Sequence, residues 1–335
     1  MNTVRRSFTL VVLALLFGPV VVLAQDGSWE SYTYTGEVQS MAEDGPYLWL
    51  ATRGGVVRFT KATGERIAYT RTNSELVDNR INDLALDSSG NVWLAYSGGF
   101  AFFDRSFTLT RMTLSMPARS LVTGRDGTVW GGIGTEGKVY KWTNGKQGGV
   151  ADQKVKGMND VTNLTLDAAG RVWGKFWGGR PLGLLADTGW VLTAPDALHT
   201  GNVVISTICP DTGNAVLVGG SNCLVRYDGV TASPVLPEPM ASGDPTIWFV
   251  CKDHRGRIWI VRRREIGVLD NGVWTIHNFD SLGISIYEQA FAMLIDSDDI
   301  VWLGTNQGLI AFDGTTARHY KTTVNGLLSG SSKVL

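Results

Sequence analysis

This chain has few cysteines, few histidines and almost no net charge, and each of these properties argues against a class of function. The 335 residues contain 3 cysteines and 4 histidines, and 30 basic against 31 acidic residues leave a formal net charge of −1. Binding to nucleic acid or to an anionic membrane needs concentrated positive charge, so we expect neither partner. No histidine or cysteine has the spacing of a metal site or a catalytic triad, so we expect no metal ion and no cofactor.

The amino terminus has the composition of an export signal. Arg5 and Arg6 precede an apolar run over 8–24 that ends in small residues. This pattern predicts a signal peptide over 1–24 and a mature chain that begins at Gln25. A retained membrane anchor is the alternative, but the 17 residues of the run lie at the lower limit for crossing about 30 Å of hydrocarbon. The paired arginines leave both the general and the twin-arginine export routes open.

A bulky apolar residue, here called the anchor of its repeat, is followed by a turn that contains glycine. This pattern recurs seven times, at spacings of 44, 37, 43, 44, 42 and 43 residues between anchors. A period of this length with several short strands per unit is typical of propeller blades. Removing 24 of 335 residues leaves 311, and closed β architectures often reach that size as one domain, so we predict a single ring over 25–335. The anchors are Trp49, Trp93, Trp130, Trp173, Leu217, Trp259 and Trp302.

The second repeat shows how one unit is built. Apolar runs of strand length flank a turn that contains Asp87 and Gly90. Asp87 can bond the backbone of its own turn, and Gly90 can take a positive φ without strain, which predicts a tight hairpin. Each unit ends in a further strand, so the sequence predicts an all-β fold, a seven-bladed β-propeller of four-stranded antiparallel blades. Large tryptophan rings between blades are expected to belong to the core.

Both ends of the chain carry segments that look like strands. The segments 29–32 and 317–321 each have the pattern of an outer strand, and the ring needs only one of them. The other is either a flanking extra or part of a ring closed by exchange between the chain ends. The tail 325–335 looks like the entry to another inner strand, so an incomplete extra strand is expected there.

Two of the three cysteines occupy equivalent positions. Cys209 and Cys251 each stand eight residues before an anchor, where Ala85 and Val122 stand in other repeats. Small apolar residues at this position predict that both thiols are buried. An odd number of cysteines allows at most one intramolecular disulfide, so with Cys223 included at least one thiol is left over.

Two blades carry a recognisable sequence pattern. The runs Asp-x-x-Gly-Asn-Val-Trp-Leu-Ala from Asp87 and Ile-Val-Trp-Leu-Gly-Thr-Asn-Gln-Gly-Leu over 300–309 resemble the two-component regulator propeller repeat. The resemblance covers 29–335, although repeats three to six are degenerate. In that family exported propellers are ligand-sensing ectodomains of hybrid histidine kinases, and similar propellers form part of a type IX secretion surface component. The resemblance implies an exported recognition module in the periplasm, at the cell surface or secreted, with a separate sensor kinase as an expected partner. From the predicted signal cleavage we expect no stable membrane span in the mature chain.

Departures from a background of glycine and threonine mark one face of the predicted ring. The loop after the second strand of each blade and the loop that enters its first strand share the face with the channel mouth, where a binding site is expected. Aromatic rings beside guanidinium groups suit a glycan, a small anion or the carboxylate of an envelope protein. The arginine run 262–264 has a simpler alternative, a solvated hairpin tip paired with nearby carboxylates. The candidate ligand-binding residues are Tyr96, Lys175, Phe176, Trp177, Arg180, Trp248, Arg262, Arg263 and Arg264.

Two other classes of function stay open at this point. A lyase or hydrolase, by loose resemblance to streptogramin-lyase propellers, requires a histidine or carboxylate of perturbed pKa around the mouth. A structural component of a type IX secretion or envelope complex requires an extended apolar patch on the rim of the ring. The non-catalytic recognition module that we favour requires the arginine run, Trp177 and Trp248 to lie at one mouth.

Overall fold

The structure is a computed structural model, and it describes most of the chain between residues 36 and 321. The predicted signal peptide 1–24, the segment 29–32, the tail 325–335 and Arg180 lie outside the described residues. The described ranges are 36–114, 116–134, 137–143, 146–151 (backbone only), 160–177, 182–187, 189–193, 198, 204–235, 246–285 and 287–321.

The strands follow one another in chain order and form seven antiparallel sheets of four strands each. Blades one and two comprise β1 (Val38–Asp44), β2 (Tyr47–Thr52), β3 (Gly55–Thr60), β4 (Arg66–Tyr69), β5 (Ile81–Leu86), β6 (Val92–Tyr96), β7 (Gly99–Phe103) and β8 (Leu109–Thr113). Blades three and four comprise β9 (Ala118–Thr123), β10 (Thr128–Ile133), β11 (Val139–Thr143), β12 (Lys146–Ala151), β13 (Val161–Leu166), β14 (Val172–Phe176), β15 (Leu182–Ala186) and β16 (Gly189–Thr193).

The remaining three blades have the same order, and a short 3-10 helix, Asp280–Leu282, follows the sixth. Blades five and six comprise β17 (Ile205–Pro210), β18 (Val216–Gly220), β19 (Cys223–Tyr227), β20 (Ala232–Pro234), β21 (Phe249–Lys252), β22 (Ile258–Val261), β23 (Glu265–Asp270) and β24 (Val273–Asn278). Blade seven comprises β25 (Ala290–Ile295), β26 (Val301–Thr305), β27 (Gly308–Phe312) and β28 (Ala317–Lys321).

The first strands of the blades pack side by side in a closed circle. Each contacts the first strand of the next blade, from β1 through β5, β9, β13, β17 and β21 to β25, and β25 contacts β1. All seven sheets belong to one compact unit, Tyr32–Leu335. These relationships confirm the predicted all-β seven-bladed propeller. The segment 317–321 is the outer strand of blade seven, so in the described part of the chain each blade is built from one continuous stretch.

In four blades the turn aspartate joins the hairpin to the core. In blade two, Asp87 Oδ1 accepts hydrogen bonds from the backbone nitrogens of Ser89 and Asn91, and Oδ2 accepts one from Trp93 Nε1 at 2.9 Å. Gly90 has the predicted positive φ, 75°. The anchor is therefore held twice, by packing between blades and by a hydrogen bond that satisfies its buried indole nitrogen. The same bond joins Asp167 to Trp173, Asp253 to Trp259 and Asp296 to Trp302.

The blades without this pair show what it does. In blade three Gly124 replaces the aspartate, and the Trp130 indole is only half-buried, with Lys141 Nζ 4.8 Å from the ring centroid. Trp130 still packs against the core cluster formed by blades three and four, but it is less buried than the anchors that bond a turn carboxylate. In blade five the anchor is Leu217, and the buried Asp211 carboxylate instead accepts hydrogen bonds from the side chains of Lys252 and Arg226.

A β-bulge near the start of the first strand recurs in six blades. Bulges re-aim a side chain and often lie beside binding sites. In blade six Trp248 holds the corresponding position, eleven residues before the anchor Trp259, just as Phe291 stands eleven before Trp302. The other five bulged residues are Gln39, Asn82, Arg119, Thr162 and Ser206. These seven residues stand where the chain enters each blade, on the face predicted to hold the site, and the two aromatic ones are neighbours in blades six and seven.

Candidate functional site

A cleft of about 300 Å³ opens on this face between blades six and seven. The loop between β22 and β23 provides one wall, and the segment that enters β25 provides the other. The cleft therefore brings together three of the predicted residues, Trp248, Arg262 and Arg263. Its lining consists of Trp248, Val261, Arg262, Arg263, Tyr287, Glu288, Gln289 and Ala290.

Arg262 carries a buried charge at the wall of this cleft. Only 6% of the residue is exposed, and its backbone nitrogen donates to the Glu265 carbonyl oxygen in the hairpin at 2.9 Å. Its guanidinium makes one loose ion pair, 3.8 Å from Nη1 to Glu265 Oε2, and Nε is buried without a hydrogen-bond partner among the described residues. The hairpin-tip alternative therefore holds for Arg262 only in its pairing with Glu265, because the side chain is buried and not solvated.

Glu288 lines the opposite wall and is equally buried, with 4% of its surface exposed. Its Oε1 accepts a hydrogen bond from Thr305 Oγ1 at 3.1 Å, whereas its Oε2 has no partner within the described part of the chain. Sequence reasoning missed this residue because a single glutamate in an entry loop has no repeat position. The departure of the Tyr287-Glu288 pair from glycine and threonine was the available signal.

Two exposed rings flank the buried charges. Trp248 is 40% exposed and Tyr287 is 77% exposed. The Trp248 backbone nitrogen donates to the Val261 carbonyl oxygen at 2.8 Å, which fixes it against β22. Asn306 holds the other wall, because its Nδ2 donates to the Tyr287 carbonyl oxygen and its Oδ1 accepts from the Gln289 backbone nitrogen. The walls are thus held by hydrogen bonds between the two loops of blade seven and within blade six.

Three predicted residues do not line the cleft, because Tyr96 and Phe176 lie in the core and Lys175 is half-buried against blade five. Tyr96 is 4% exposed at the end of β6, and Phe176 is 1% exposed with its ring 5.0 Å from that of Trp190. Lys175 Nζ donates to the Ser206 carbonyl oxygen at 2.9 Å, and burial lowers the pKa of its ammonium group. These side chains complete blade packing, so we leave them out of the candidate site.

Two further predicted residues are exposed but stand apart from the cleft. Trp177 follows β14 in blade four, with its backbone nitrogen bonded to the Asp160 carbonyl oxygen at 2.8 Å. Arg264 forms a two-pronged ion pair with Asp280, at 2.6 and 2.8 Å, and does not line the cleft. The hairpin-tip alternative is thus correct for Arg264. Arg180, the remaining candidate, lies outside the described residues.

The described histidines are not at the cleft. His254 lies in a turn between the first two strands of blade six, on the opposite face, with Nδ1 3.0 Å from Asp299 Oδ1. His277 packs against a phenylalanine ring in the outer strand region, and His319 Nε2 contacts the Leu282 carbonyl oxygen at 3.1 Å. His199 lies outside the described residues. Within the described ranges, no three His, Cys, Asp or Glu side chains are grouped to hold a metal ion.

Exposed apolar side chains on the described outer strands are scattered. In blades one, four and six, the most exposed apolar side chains of the outer strands are Ile67, Val191 and Val273, respectively. The extended rim patch that a structural envelope component requires is therefore not formed by the outer strands that the structure describes. Where the structure describes the chain, none of its helices has the length and hydropathy of a membrane span.

Comparison with solved structures finds propellers of several kinds. A streptogramin B lyase matches with a TM-score of 0.67 at 14% identity, over 84% of this chain and 93% of that one. The extracellular domain of a hybrid two-component system from B. thetaiotaomicron matches with a TM-score of 0.68 at 19% identity, over 84% of this chain and 39% of that one. PorZ, a surface component of the type IX secretion system of Porphyromonas gingivalis, matches with a TM-score of 0.63 at 12% identity, over 89% of this chain and 40% of that one.

The likeness is one of fold. At identities of 12 to 19% it carries no activity across, although two of these neighbours are the kinds of propeller that the sequence pattern resembles. The match spans about two fifths of the solved extracellular domain of the two-component system and of the PorZ chain. The sequence itself matches no protein-family model and no curated protein.

Proposed function

We propose that this protein is an exported, non-catalytic recognition module that binds a small polar ligand in the cleft between blades six and seven. The observation that carries the proposal is the pair of buried atoms without partners at this cleft, Arg262 Nε and Glu288 Oε2. Buried polar groups are almost always hydrogen-bonded, and an exception calls for an explanation. A bound ligand that accepts from Arg262 and donates to Glu288 supplies both partners.

The remaining lining suits the same role. A volume of about 300 Å³ is at the lower end of small-molecule sites, so the cleft holds one small molecule or one end of a larger one. The exposed rings of Trp248 and Tyr287 provide flat apolar surfaces next to the charges. Glycans, small anions and the carboxylate groups of envelope proteins, the partners expected from the sequence, all offer oxygen atoms to a guanidinium group.

Recognition is favoured over catalysis by the setting of the cleft. The export signal predicted over 1–24 supports a sensor or assembly role outside the cytoplasm. The solved propellers of similar fold include an extracellular two-component domain and a surface secretion component, but also a streptogramin B lyase. The periplasm, the cell surface and the medium are all compatible with such a signal. No described histidine lines the cleft, so Glu288 and Tyr287 are the lining side chains that could serve as a general acid or base.

A binding screen with paired variants tests the proposal. Isothermal titration calorimetry on the purified protein, against mono- and disaccharides, small carboxylates and amino acids, identifies the ligand. We expect Arg262→Gln to weaken its binding at least tenfold, because a charge-assisted hydrogen bond is lost. Arg264→Ala is the matched control, since it removes a neighbouring charge that pairs outside the cleft.

Two results would contradict the proposal. Equal affinities of the wild type and Arg262→Gln for every ligand found would remove the cleft as the site. Conversion of the ligand to a product by the wild type but not by Glu288→Gln, followed by mass spectrometry, would replace recognition with catalysis.

A further inference from the structure

We propose that the ligand of this cleft is a zwitterion, namely a free α-amino acid with an apolar side chain, and the inference rests on the proposed function of the cleft. Its carboxylate would bind at Arg262 and its ammonium group at Glu288. The argument uses the signs of the two buried charges, their partners and the rings beside them.

The positive wall calls for an anionic group. Arg262 is 6% exposed, and its one ion pair, to Glu265, is long at 3.8 Å. A buried charge is stable only when it is paired and hydrogen-bonded. A carboxylate can take two hydrogen bonds from a guanidinium fork, including the one from Nε. Arg263, exposed at the edge of the same cleft, adds positive potential on that side.

The negative wall calls for a cation at the same time. Glu288 accepts one hydrogen bond, from the neutral hydroxyl of Thr305, and forms no ion pair with any described residue. Its second oxygen, Oε2, is buried and unpartnered. An ammonium group carries three N–H donors and a positive charge, so it supplies both the missing hydrogen bond and the missing counter-charge.

The two walls together distinguish the zwitterion from other small ligands. A simple anion would satisfy Arg262 but would lie in the same small cleft as the Glu288 carboxylate, and like charges at short range repel. A simple amine would meet the reverse problem at Arg262. A neutral sugar can hydrogen-bond to both walls but neutralises neither charge. An α-amino acid carries an anionic and a cationic group on adjacent carbon atoms, so one small molecule offers a counter-charge to each wall.

The aromatic residues indicate the rest of the ligand. Trp248 and Tyr287 line the cleft with 40% and 77% of their surfaces exposed. Rings of this kind lose exposed area when an apolar group packs on them. The side chain of the amino acid is therefore expected to be apolar or aromatic.

The experiment is calorimetric titration of the purified protein with each of the standard L-amino acids. The tightest of them is then compared with its N-acetyl derivative, which is an anion, with its methyl ester, which is a cation, and with glucose. We expect the free amino acid to bind at least tenfold more tightly than the two derivatives and than glucose, because only the zwitterion matches both charged walls.

Two charge variants give a signature that structural damage cannot produce. Glu288→Gln should weaken binding of the free amino acid at least tenfold while it strengthens binding of the N-acetyl derivative, because the repulsion of that anion is removed. Arg262→Gln should have the opposite selectivity and strengthen binding of the methyl ester. Arg264→Ala should bind all compounds as the wild type does, and circular dichroism should give all variants a folded β spectrum.

The outcomes separate this inference from the proposed function. Tighter binding of saccharides than of amino acids, lost in both cleft variants, would overturn the zwitterion and leave the cleft as the binding site. Equal binding of the free amino acid and its N-acetyl derivative would also overturn it. No binding of any amino acid would overturn the zwitterion as well. Binding that neither variant changes would overturn the cleft assignment itself.

Discussion

Trp259 Nε1 donates a 2.8 Å hydrogen bond to Asp253 Oδ2, so the anchor of blade six is bonded to the turn six residues before it. The other oxygen of Asp253 accepts from the backbone nitrogens of Arg255 and Arg257. One carboxylate thus closes the hairpin and fixes the rotation of the anchor indole. The repeat is a structural unit because the turn and the core share this group.

Asp253→Ala should destabilise the propeller by about 2 to 3 kcal/mol, because it leaves a buried indole nitrogen without a partner and removes a charge-assisted turn. Asp104→Ala is the control. Asp104 also accepts hydrogen bonds from its own turn, at Ser106 and Thr108, but it is exposed and bonds no indole, so its loss should cost less than about 1 kcal/mol. Urea unfolding measures both, and equal losses would show that the indole bond contributes nothing.

Asp83 should make the stability of the ring fall as the pH rises. Its Oδ2 accepts from the Leu121 backbone nitrogen at 2.7 Å, across to blade three, and burial raises its pKa to about 6 in spite of this and other hydrogen bonds. A pKa that is higher in the folded than in the unfolded state means that the protonated carboxyl group favours folding. Its contribution to the free energy of unfolding is complete below pH 4 and is lost as the pH passes 6. The loss corresponds to about 2 to 3 kcal/mol.

The measurement is urea unfolding of the wild type and Asp83→Asn at several pH values. Asparagine does not titrate, so the wild type should lose about 2 to 3 kcal/mol of stability relative to this variant between pH 4 and pH 7. Parallel pH profiles for the two proteins would contradict the raised pKa of Asp83.

Trp248 and Trp177 should differ in binding although both are exposed tryptophans on the same face. Trp248 lines the cleft and Trp177 follows β14 in blade four. We expect Trp248→Ala to weaken binding of the ligand at least tenfold, since a stacked ring contributes both buried area and orientation. Trp177→Ala should leave the affinity unchanged. Titration calorimetry decides, and equal losses would extend the site to blade four.

The buried thiols should be unreactive in the folded protein. Burial raises the pKa of Cys223 to about 11, and the hydrogen bond that holds the Cys209 thiol against Cys251, together with burial, raises the pKa of Cys209 well above its usual range. Only the thiolate is a nucleophile, so alkylation of Cys223 and Cys209 by iodoacetamide at pH 8 should be about a hundredfold slower in the native state than in urea. Peptide mass spectrometry reports each site, and rapid native labelling of Cys223 would refute the expectation.

Export should remove the first 24 residues, as expected from the charged start and apolar run of the amino terminus. Amino-terminal sequencing of the mature protein from cell fractions should begin at Gln25. A full-length protein that remains in the membrane fraction would favour the retained anchor instead.

The propeller itself could be predicted from the sequence because its repeats are local. Asp87, Gly90 and Trp93 lie within seven residues of one another, and the hairpin they form needs no distant partner. The half-burial of Trp130 was not predicted, because blade three lacks the turn aspartate that bonds the anchor indole in other blades, and the side chain that packs on the ring instead is not visible in the turn sequence. Lys141, which lies over that ring, comes from the next strand of the blade.

The site could be predicted only in part. Trp248, Arg262 and Arg263 were recognised because they break the glycine and threonine background, but so did Tyr96 and Phe176, whose rings point into the core. Composition cannot separate the two groups, because the direction of a side chain at a strand end depends on the register and on the neighbouring blade.

The sequence by itself determined the number of blades, the four strands of each blade and the turns between them, because these follow from short-range hydrogen bonds and a regular apolar period. Only the tertiary structure decided which side chains share a cleft. Arg262 and Glu288 belong to different blades, and the closing of the ring sets both at one opening with their charges buried and incompletely paired. That juxtaposition is a long-range property of the fold, so no local pattern in the chain contains it.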